Sequence, residues 1–195
     1  EMGAVKLTLM GGEPTLYGIK QQNRPLLELI KKAKELGYEY VRIDTNGQFN
    51  SSLLEQPEFK MLDEITFSID EDGNLYLDRM IKFAEDLGIE RINFHNLFKT
   101  GVPRDCFSGN LDISIKDWFR VWNEIEDKVD NNEYKIPVRI PQSFTTKEKF
   151  DENPAYYGYC SCKTGSRILI HPNGMLRVCS LMIGTPYAIA RYYDG

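Results

Sequence analysis

Short polar motifs follow candidate β-strands along this chain, at places where a ligand site could be built. The first strand runs into Gly11-Gly12-Glu13-Pro14-Thr15. Two glycines at the carboxyl end of a parallel strand allow a tight turn and expose backbone N–H groups to a ligand. The carboxylate of Glu13 follows at once and could hold a ligand ammonium group. By itself, the motif is equally typical of a glycine-rich turn with a solvated glutamate.

Three further strand candidates also end in short polar side chains. Their motifs are Asp44-Thr45-Asn46-Gly47, Ser68-Ile69-Asp70 and Asn93-Phe94-His95-Asn96. Any one of them alone is typical of a turn, and a single histidine beside aromatic residues is more often packed than catalytic. The carboxyl ends of parallel strands meet at one edge of a sheet or barrel, so the four motifs together predict a single ligand site.

The four cysteines suggest a second kind of site. They are Cys106, Cys160, Cys162 and Cys179, and the last three fall in one stretch near the end. In a domain of this size, such a cluster indicates metal ligation rather than disulfides. Cys162 and Cys179, with Cys160 close enough to contribute, suit an iron–sulfur cluster or zinc. Cys106 is remote and is interpreted as an inert thiol in the loop after the fourth strand.

A β-hairpin is predicted beside these cysteines, because Asn173-Gly174 lies between two apolar runs. If the turn has two residues, Pro172 pairs with Met175 and Cys179 falls opposite Ile168. The flexible segment 163–166 could then fold Cys162 back towards Cys179, which would place two thiolates together for a metal.

The elements that position these motifs alternate between strands and amphipathic helices. Pro25 suits a first helical turn, Gly37 and Gly88 suit left-handed helix caps, and Ser114 suits an N-cap. Trp118 and Trp122 lie one helical turn apart, and core packing explains them. The strand candidates are Val5–Met10, Tyr40–Asp44, Ile65–Ile69, Arg91–His95 and Ile136–Ile140.

A sequence pattern that occurs twice indicates how the strands are connected. The run 36–43 resembles the run 87–94, since in each a helix ends at Leu-Gly and a strand begins three residues later. Such repeats imply parallel strands with right-handed crossovers, and therefore an α/β fold. Five strands without an open-sheet nucleotide fingerprint favour a partial β/α barrel over a doubly wound sheet. The alternation of strand and helix patterns ends near Pro141, and a polar, charged stretch follows. This change predicts a first domain over 1–143 and a second over 144–195.

The composition excludes several classes of protein. Of the 195 residues, 42% are hydrophobic and 27% charged, which is typical of a globular domain and not of a disordered tail, coiled coil or disulfide miniprotein. No uncharged apolar run approaches the roughly 20 residues that a membrane helix needs. The net charge of −5 argues against broad nucleic-acid binding, which requires excess Lys and Arg.

Taken together, the motifs resemble those of radical S-adenosylmethionine (SAM) enzymes. The resemblance rests on Gly11-Gly12-Glu13-Pro14 after one strand, Thr45-Asn46-Gly47 after the next and Ser68-Ile69-Asp70 after the third. The stretch Cys162…Gly174…Cys179 is similar to the opening of the C-terminal auxiliary-cluster extension of that family, the SPASM or twitch domain. The resemblance covers nearly the whole chain and implies a partial (β/α)6 TIM-like barrel with a C-terminal β-hairpin region for the auxiliary cluster.

The resemblance also implies roles for individual residues. Gly11, Gly12 and Glu13, with Pro14 in the same motif, would bind the methionine end of the cofactor, with Glu13 facing its amino group. Ser68 and Asp70 would lie near the ribose and methionine portions, while Thr45 and Asn46 would line the same cavity. Asn93 or His95 would contact the adenosyl group. Cys162 and Cys179 would ligate an auxiliary [4Fe–4S] cluster, with Cys160 as a further candidate.

Two departures from the family pattern bear on activity. The defining Cys-x-x-x-Cys-x-x-Cys loop is absent from the 195 residues, and no cysteine follows Cys179. The loop is expected upstream of Glu1, so the chain is interpreted as a fragment of a longer protein. Alone, it is expected not to hold the catalytic cluster and to be inactive.

The function implied is reductive cleavage of SAM to a 5′-deoxyadenosyl radical that abstracts a substrate hydrogen. A peptide or protein is the expected substrate, with a flavodoxin or ferredoxin as reductant. A small molecule or RNA base is an alternative substrate, and a non-catalytic barrel with structural zinc is an alternative function. Iron–sulfur chemistry needs a reducing compartment, which predicts a cytoplasmic location.

Overall fold

The computed structural model describes residues 3–49, 51–69, 77–96, 114–139, 146–157, 165–183 and 185–192. The first part contains, in chain order, β1 (Lys6–Leu9), α1 (Arg24–Glu35), β2 (Tyr40–Thr45), β3 (Glu64–Ile69), α2 (Leu77–Leu87), β4 (Arg91–Asn96), α3 (Ile115–Asp130) and β5 (Val138–Arg139). The second part contains α4 (Lys147–Glu152), α5 (Pro154–Tyr157), β6 (Leu169–Ile170), β7 (Met175–Arg177) and β8 (Ala190–Arg191). No described helix is both long and apolar enough to span a bilayer.

The first five strands form one parallel sheet in the order β1-β2-β3-β4-β5. Strands that follow the chain order without reversal are typical of barrel-type β/α folds, whereas a doubly wound sheet reverses its order at a switch point. The predicted strands are all present, with ends that differ by one or two residues. Among the described residues, β5 is the shortest of the five, since only Val138 and Arg139 pair with β4.

Alternation along the strands gives the sheet one apolar and one polar face. Val41, Ile43, Ile65, Ile92 and Phe94 are fully buried on the apolar face. The helices pack their apolar stripes here, because side chains alternate between faces along a strand and recur every third or fourth residue in a helix. The buried helical residues include Leu26, Ile30, Ala33, Ile81, Ala84, Trp118, Val121, Trp122 and Ile125.

The helix boundaries follow the predicted signals. Pro25 lies in the first turn of α1, where its missing N–H costs no intrahelical bond. Gly37 and Gly88 have φ of +85° and +71° directly after α1 and α2, a conformation that glycine adopts without strain. Ser114 caps α3 by accepting a hydrogen bond from the backbone N–H of Asp117 at 3.0 Å. Between β2 and β3, Ser51–Glu55 forms a 3₁₀ segment.

The described residues fall into two compact units, the first ending with β5 and the second beginning before α4. In the second unit, β6, β7 and β8 form an antiparallel sheet in that order. The predicted domain limits of 1–143 and 144–195 stay a prediction.

The register of the β6–β7 pair corrects the predicted turn. Leu169 pairs with Arg177 and Ile170 with Leu176, so the loop between His171 and Met175 has three residues rather than two. The N–H of Gly174 donates to the carbonyl of His171, and Gly174 then takes φ of +78°. A left-handed residue after a turn is typical of three-residue hairpin loops. The shift moves Ile168 out of the position opposite Cys179 that a two-residue turn would give it.

Candidate functional site

The carboxylate of Glu13 ties the loop after β1 to the end of β2. Its Oε1 accepts hydrogen bonds from the backbone N–H and the hydroxyl of Thr15, at 3.0 and 2.6 Å. The same oxygen accepts from the hydroxyl of Thr45 at 2.7 Å, and Oε2 accepts from the backbone N–H of Asn46 at 2.7 Å. These bonds fix the carboxylate between two neighbouring strand ends.

The two glycines before Glu13 leave open space over the backbone. Gly11 and Gly12 have φ of +94° and +55°, which disfavours any residue with a Cβ. A Cβ built at either position meets no atom within 4 Å. A ligand can therefore approach this stretch of main chain closely, as the sequence predicts for the strand end.

A buried anchor holds the far side of the same loop. Asn23 is 7% exposed, and its Nδ2 donates to the carbonyl oxygen of Thr15 at 2.6 Å. Thr15 is 2% exposed and bonds Glu13 with its hydroxyl. Asn23 itself has φ of +59°, in the left-handed region that Asn tolerates better than most residues. The side chains of Thr15 and Asn23 thus position Glu13 without reaching the open side of the loop.

Asn46 and Thr45 have different surroundings at the end of β2. Thr45 is 1% exposed, and its hydroxyl both donates to Glu13 and accepts from the N–H of Gly47 at 3.2 Å. The Oδ1 of Asn46 accepts from the N–H of Gln48 at 2.8 Å. Thr45 therefore orients Glu13, and Asn46 is the more accessible of the two.

Ser68 and His95 lie side by side at the ends of β3 and β4. They are paired in register, with Ser68 Oγ 2.7 Å from His95 Nε2. Asn93 lies two residues before His95 on the same face, and its buried Oδ1 has no hydrogen-bond partner in the described part of the chain. An unpaired buried acceptor is costly, so a donor from a ligand would stabilise it.

The polar face of the sheet carries a charged cluster that the sequence analysis did not single out. Arg42 makes a two-pronged ion pair with Asp44, at 2.5 Å from Nε and 2.9 Å from Nη2. It also lies 3.1 Å from Glu64, which in turn lies 3.3 Å from the Nε of Arg91. Tyr40 donates its hydroxyl hydrogen bond to the same carboxylate. Glu64 is only 1% exposed, so these partners compensate a buried charge.

This cluster perturbs its own titratable groups. Burial raises the pKa of the Tyr40 hydroxyl well above its ordinary value, and the hydrogen bond to Glu64 adds to the effect. Burial lowers the pKa of the Lys6 ammonium group, which lies 4.1 Å from the centre of the Tyr40 ring. Arg91 lies 4.5 Å from the same ring centre. Two cations thus meet at one aromatic ring on the polar face.

Some of the predicted site residues contact one another, and others lie outside the described residues. The structure brings Glu13, Thr45 and Asn46 into direct contact, and Ser68 and His95 into another. Asp70, Cys106, Cys160 and Cys162 lie outside the described residues. Cys179 is described as a partly exposed free thiol, and no group of three or more metal-ligating side chains occurs among the residues that the structure describes.

Part of this chain is similar in sequence to a curated protein. No established family profile matches the chain. The probable GTP 3′,8-cyclase of Saccharolobus solfataricus is 40% identical over 68 residues, which is 35% of this chain and 20% of that protein. The chain therefore spans only a small part of this curated relative.

Two solved proteins share the fold over nearly the whole chain. Streptococcus suis SuiB superposes with a TM-score of 0.54 and 17% identity, over 96% of this chain and 52% of SuiB. Native anSMEcpe with bound AdoMet superposes with a TM-score of 0.51 and 16% identity, over 98% of this chain and 64% of anSMEcpe. SuiB has also been solved with S-adenosylmethionine and with its precursor peptide SuiA. The chain spans about half to two thirds of these proteins.

Proposed function

We propose that this chain, which has the fold of the radical SAM enzymes, binds S-adenosylmethionine at the carboxyl ends of its parallel strands. The resemblance predicted from the strand-end motifs is confirmed, since SuiB, anSMEcpe and the GTP cyclase are radical SAM enzymes. The neighbours solved with bound SAM or AdoMet support the same cofactor here.

The hydrogen bonding of Glu13 carries the proposal. Each oxygen of a carboxylate has two lone pairs that can accept hydrogen bonds. Oε1 accepts three hydrogen bonds from described residues, whereas Oε2 accepts only that from the N–H of Asn46. Oε2 can therefore accept a further bond from the ammonium group of a methionine moiety. The open main chain at Gly11 and Gly12 lies directly before it and fits the close approach of such a ligand.

The other strand ends complete the proposed site. Gly11, Gly12, Glu13 and Pro14 would bind the methionine end, with Thr45 holding Glu13 in place and Asn46 lining the cavity. Ser68 and Asp70 would lie near the ribose and methionine portions. Asn93, with its unpartnered Oδ1, or His95 would contact the adenosyl group. In this site the protein binds and orients the cofactor and excludes water from it.

When bound and reduced by an iron–sulfur cluster, SAM supplies a 5′-deoxyadenosyl radical for hydrogen abstraction from a substrate. The cluster that would reduce SAM would need the Cys-x-x-x-Cys-x-x-Cys loop, which these 195 residues do not contain. An auxiliary [4Fe–4S] cluster at Cys162 and Cys179, with Cys160 as a further candidate, remains part of the proposal. Of these cysteines, Cys179 lies among the described residues, as a partly exposed free thiol.

A peptide or protein is the proposed substrate, to be modified oxidatively. The structure of SuiB with its precursor peptide SuiA supports a peptide, because that protein shares the fold over 96% of this chain. A small ferredoxin or flavodoxin would be the electron donor. The proposed location is cytoplasmic.

Binding of SAM to the purified chain tests the cofactor site directly. Isothermal titration is expected to show saturable SAM binding, and Glu13→Gln to weaken it by about tenfold, the worth of one charge-assisted hydrogen bond. Glu28→Gln changes an exposed carboxylate on α1 and should leave the affinity unchanged. Absence of SAM binding by the wild-type chain would contradict the proposal.

Activity is tested with a protein that carries both this chain and a Cys-x-x-x-Cys-x-x-Cys loop. After anaerobic reconstitution and reduction with dithionite, we expect 5′-deoxyadenosine from SAM. A colourless protein that contains zinc and does not cleave SAM would instead support a non-catalytic barrel with a structural metal.

A further inference from the structure

The polar face of the parallel sheet carries more cations than carboxylates. Lys6, Arg42, Arg91 and Arg139 lie on this face, by their positions in the strand register, against the two carboxylates of Asp44 and Glu64. The chain as a whole has a net charge of −5, so this local excess of positive charge is opposite in sign to the net charge of the chain. A concentration of one sign of charge on one face favours ligands of the opposite sign.

The ion pairs within the cluster leave part of this charge uncompensated. Arg42 is held by Asp44 and Glu64 together. Arg91 has its ion pair with Glu64, at 3.3 Å from Nε, and shares that carboxylate with Arg42. Lys6 contacts the ring of Tyr40, and no ion pair to a described residue is formed by Lys6 or Arg139.

The sheet brings these cations towards one another. Lys6 is on β1 and Arg91 on β4, and in a flat sheet three strand spacings would separate their backbones by about 14 Å. Yet the Nζ of Lys6 lies 4.1 Å and the guanidinium carbon of Arg91 4.5 Å from the centre of the Tyr40 ring. The side chains of β1 and β4 therefore converge over Tyr40, and Arg139 lies on the same face of the next strand, β5.

We propose that Lys6, Arg91 and Arg139 bind an oxyanion of the substrate, a carboxylate or a phosphate, on this face of the sheet. The assignment of the ligand as substrate rests on the proposed function. Guanidinium groups bind such oxyanions through paired N–H donors, and an ammonium group adds a point charge. A guanidinium group has five N–H donors, so the contact of Arg91 with Glu64 leaves it donors for a ligand.

Among the described residues, this site reaches the strand-end cofactor site at one point only. Arg42, Glu64 and Arg91 lie at one level of the register, four residues before Asn46 along the chain. Four residues of a parallel strand span about 13 Å. Arg139 lies nearer the strand ends, where it pairs in register with Asn93 of the proposed cofactor site. A substrate held by the cations would therefore extend towards the cofactor.

Titration with two small anions tests the proposal. Glutarate and inorganic pyrophosphate are titrated calorimetrically into the purified chain at low ionic strength, with and without SAM. At least one is expected to bind with one-to-one stoichiometry, and the tighter of the two indicates a carboxylate or a phosphate. Lys6→Met and Arg139→Gln are each expected to weaken binding by about tenfold, as for loss of a charged hydrogen-bonding partner. Both residues are exposed overall, although the ammonium group of Lys6 is partly desolvated, so the variants should fold.

Matched controls separate this site from general charge. Lys60→Met and Arg79→Gln remove the same charges from other exposed positions and should leave anion affinity unchanged. If neither anion binds, or if all four variants behave alike, the proposal is wrong. Binding of SAM without binding of either anion would overturn the oxyanion site alone, whereas anion binding without SAM binding would overturn the proposed function instead.

Discussion

The Thr45 hydroxyl donates to the Glu13 carboxylate at 2.7 Å, across 32 residues of sequence. This bond joins the ends of two neighbouring strands, and the N–H of Asn46 adds a second connection beside it. The position of the carboxylate is therefore set by the sheet and not by its own loop alone. The strand-end site gains its precision from this cross-strand contact.

Thr45→Val keeps the shape of the side chain and removes the hydroxyl. Glu13 then loses one donor, and the N–H of Gly47 loses its acceptor, so we expect a loss of about 1 to 3 kcal/mol in the free energy of unfolding. Urea denaturation measures it, and SAM titration should show weaker binding. Thr8→Val is the matched control, since Thr8 makes no side-chain hydrogen bond among the described residues. An equal effect of both variants would show that Thr45 does not orient Glu13.

Glu64→Gln tests the charged cluster on the polar face. The neutral amide cannot compensate the positive charges of Arg42 and Arg91. Breaking a buried ion pair by removing one partner costs about 3 kcal/mol or more in the free energy of unfolding. Urea denaturation should show this loss, while the exposed Glu55→Gln stays close to the wild type. A wild-type stability for Glu64→Gln would mean that solvent screens these charges.

The raised pKa of Tyr40 predicts that the folded protein loses stability at alkaline pH. Its pKa in the folded protein is raised above the ordinary value of 10, so the stabilisation is complete below pH 10 and is lost as the pH rises through the folded-state pKa. Denaturation from pH 8 to 11.5 should show a smaller decline for Tyr40→Phe than for the wild type. The difference in absorbance at 295 nm between the two proteins gives the titration of Tyr40 itself. A midpoint at or below pH 10 in that difference would contradict this account.

Gly174→Ala should disrupt the antiparallel sheet of the second unit. The new Cβ would lie 2.5 Å from the carbonyl oxygen of Tyr192, and φ at this position is +78°. Gly165→Ala is the control, because Gly165 has φ of +66° with nothing within 4 Å of its Cβ. The control measures the left-handed strain alone, about 1 to 2 kcal/mol. Hydrogen exchange at the amide of Tyr192, which donates to Gly174, should accelerate more in Gly174→Ala.

Local sequence signals predicted the elements but not every contact between them. The stretch from Tyr40 to Asp44 was correctly predicted as a strand. The pairing of Arg42 with Glu64 depends on strand register, which no local pattern contains. The alternation of polar and apolar residues could have drawn attention to the charged face, because four of its positions carry Arg or Glu.

The hairpin shows a second limit of local reasoning. Asn173-Gly174 marked the turn, yet Pro172 also belongs to the loop. The N–H of Tyr192 donates to the carbonyl of Gly174, so a third strand joins the turn. This partner lies far along the chain, and the dipeptide alone could not predict it. The auxiliary-cluster role of Cys162 and Cys179 remains a prediction.

The alternation of charged and apolar residues along β2, β3 and β4 also disfavours pairing of these strands in the wrong register. A slip of one residue between neighbouring strands would exchange the two faces, and would press Arg42, Glu64 and Arg91 against the helices. Each unpaired ion so placed would cost several kcal/mol. The charged cluster beside the proposed substrate site therefore also specifies which alignment of the strands the chain adopts when it folds.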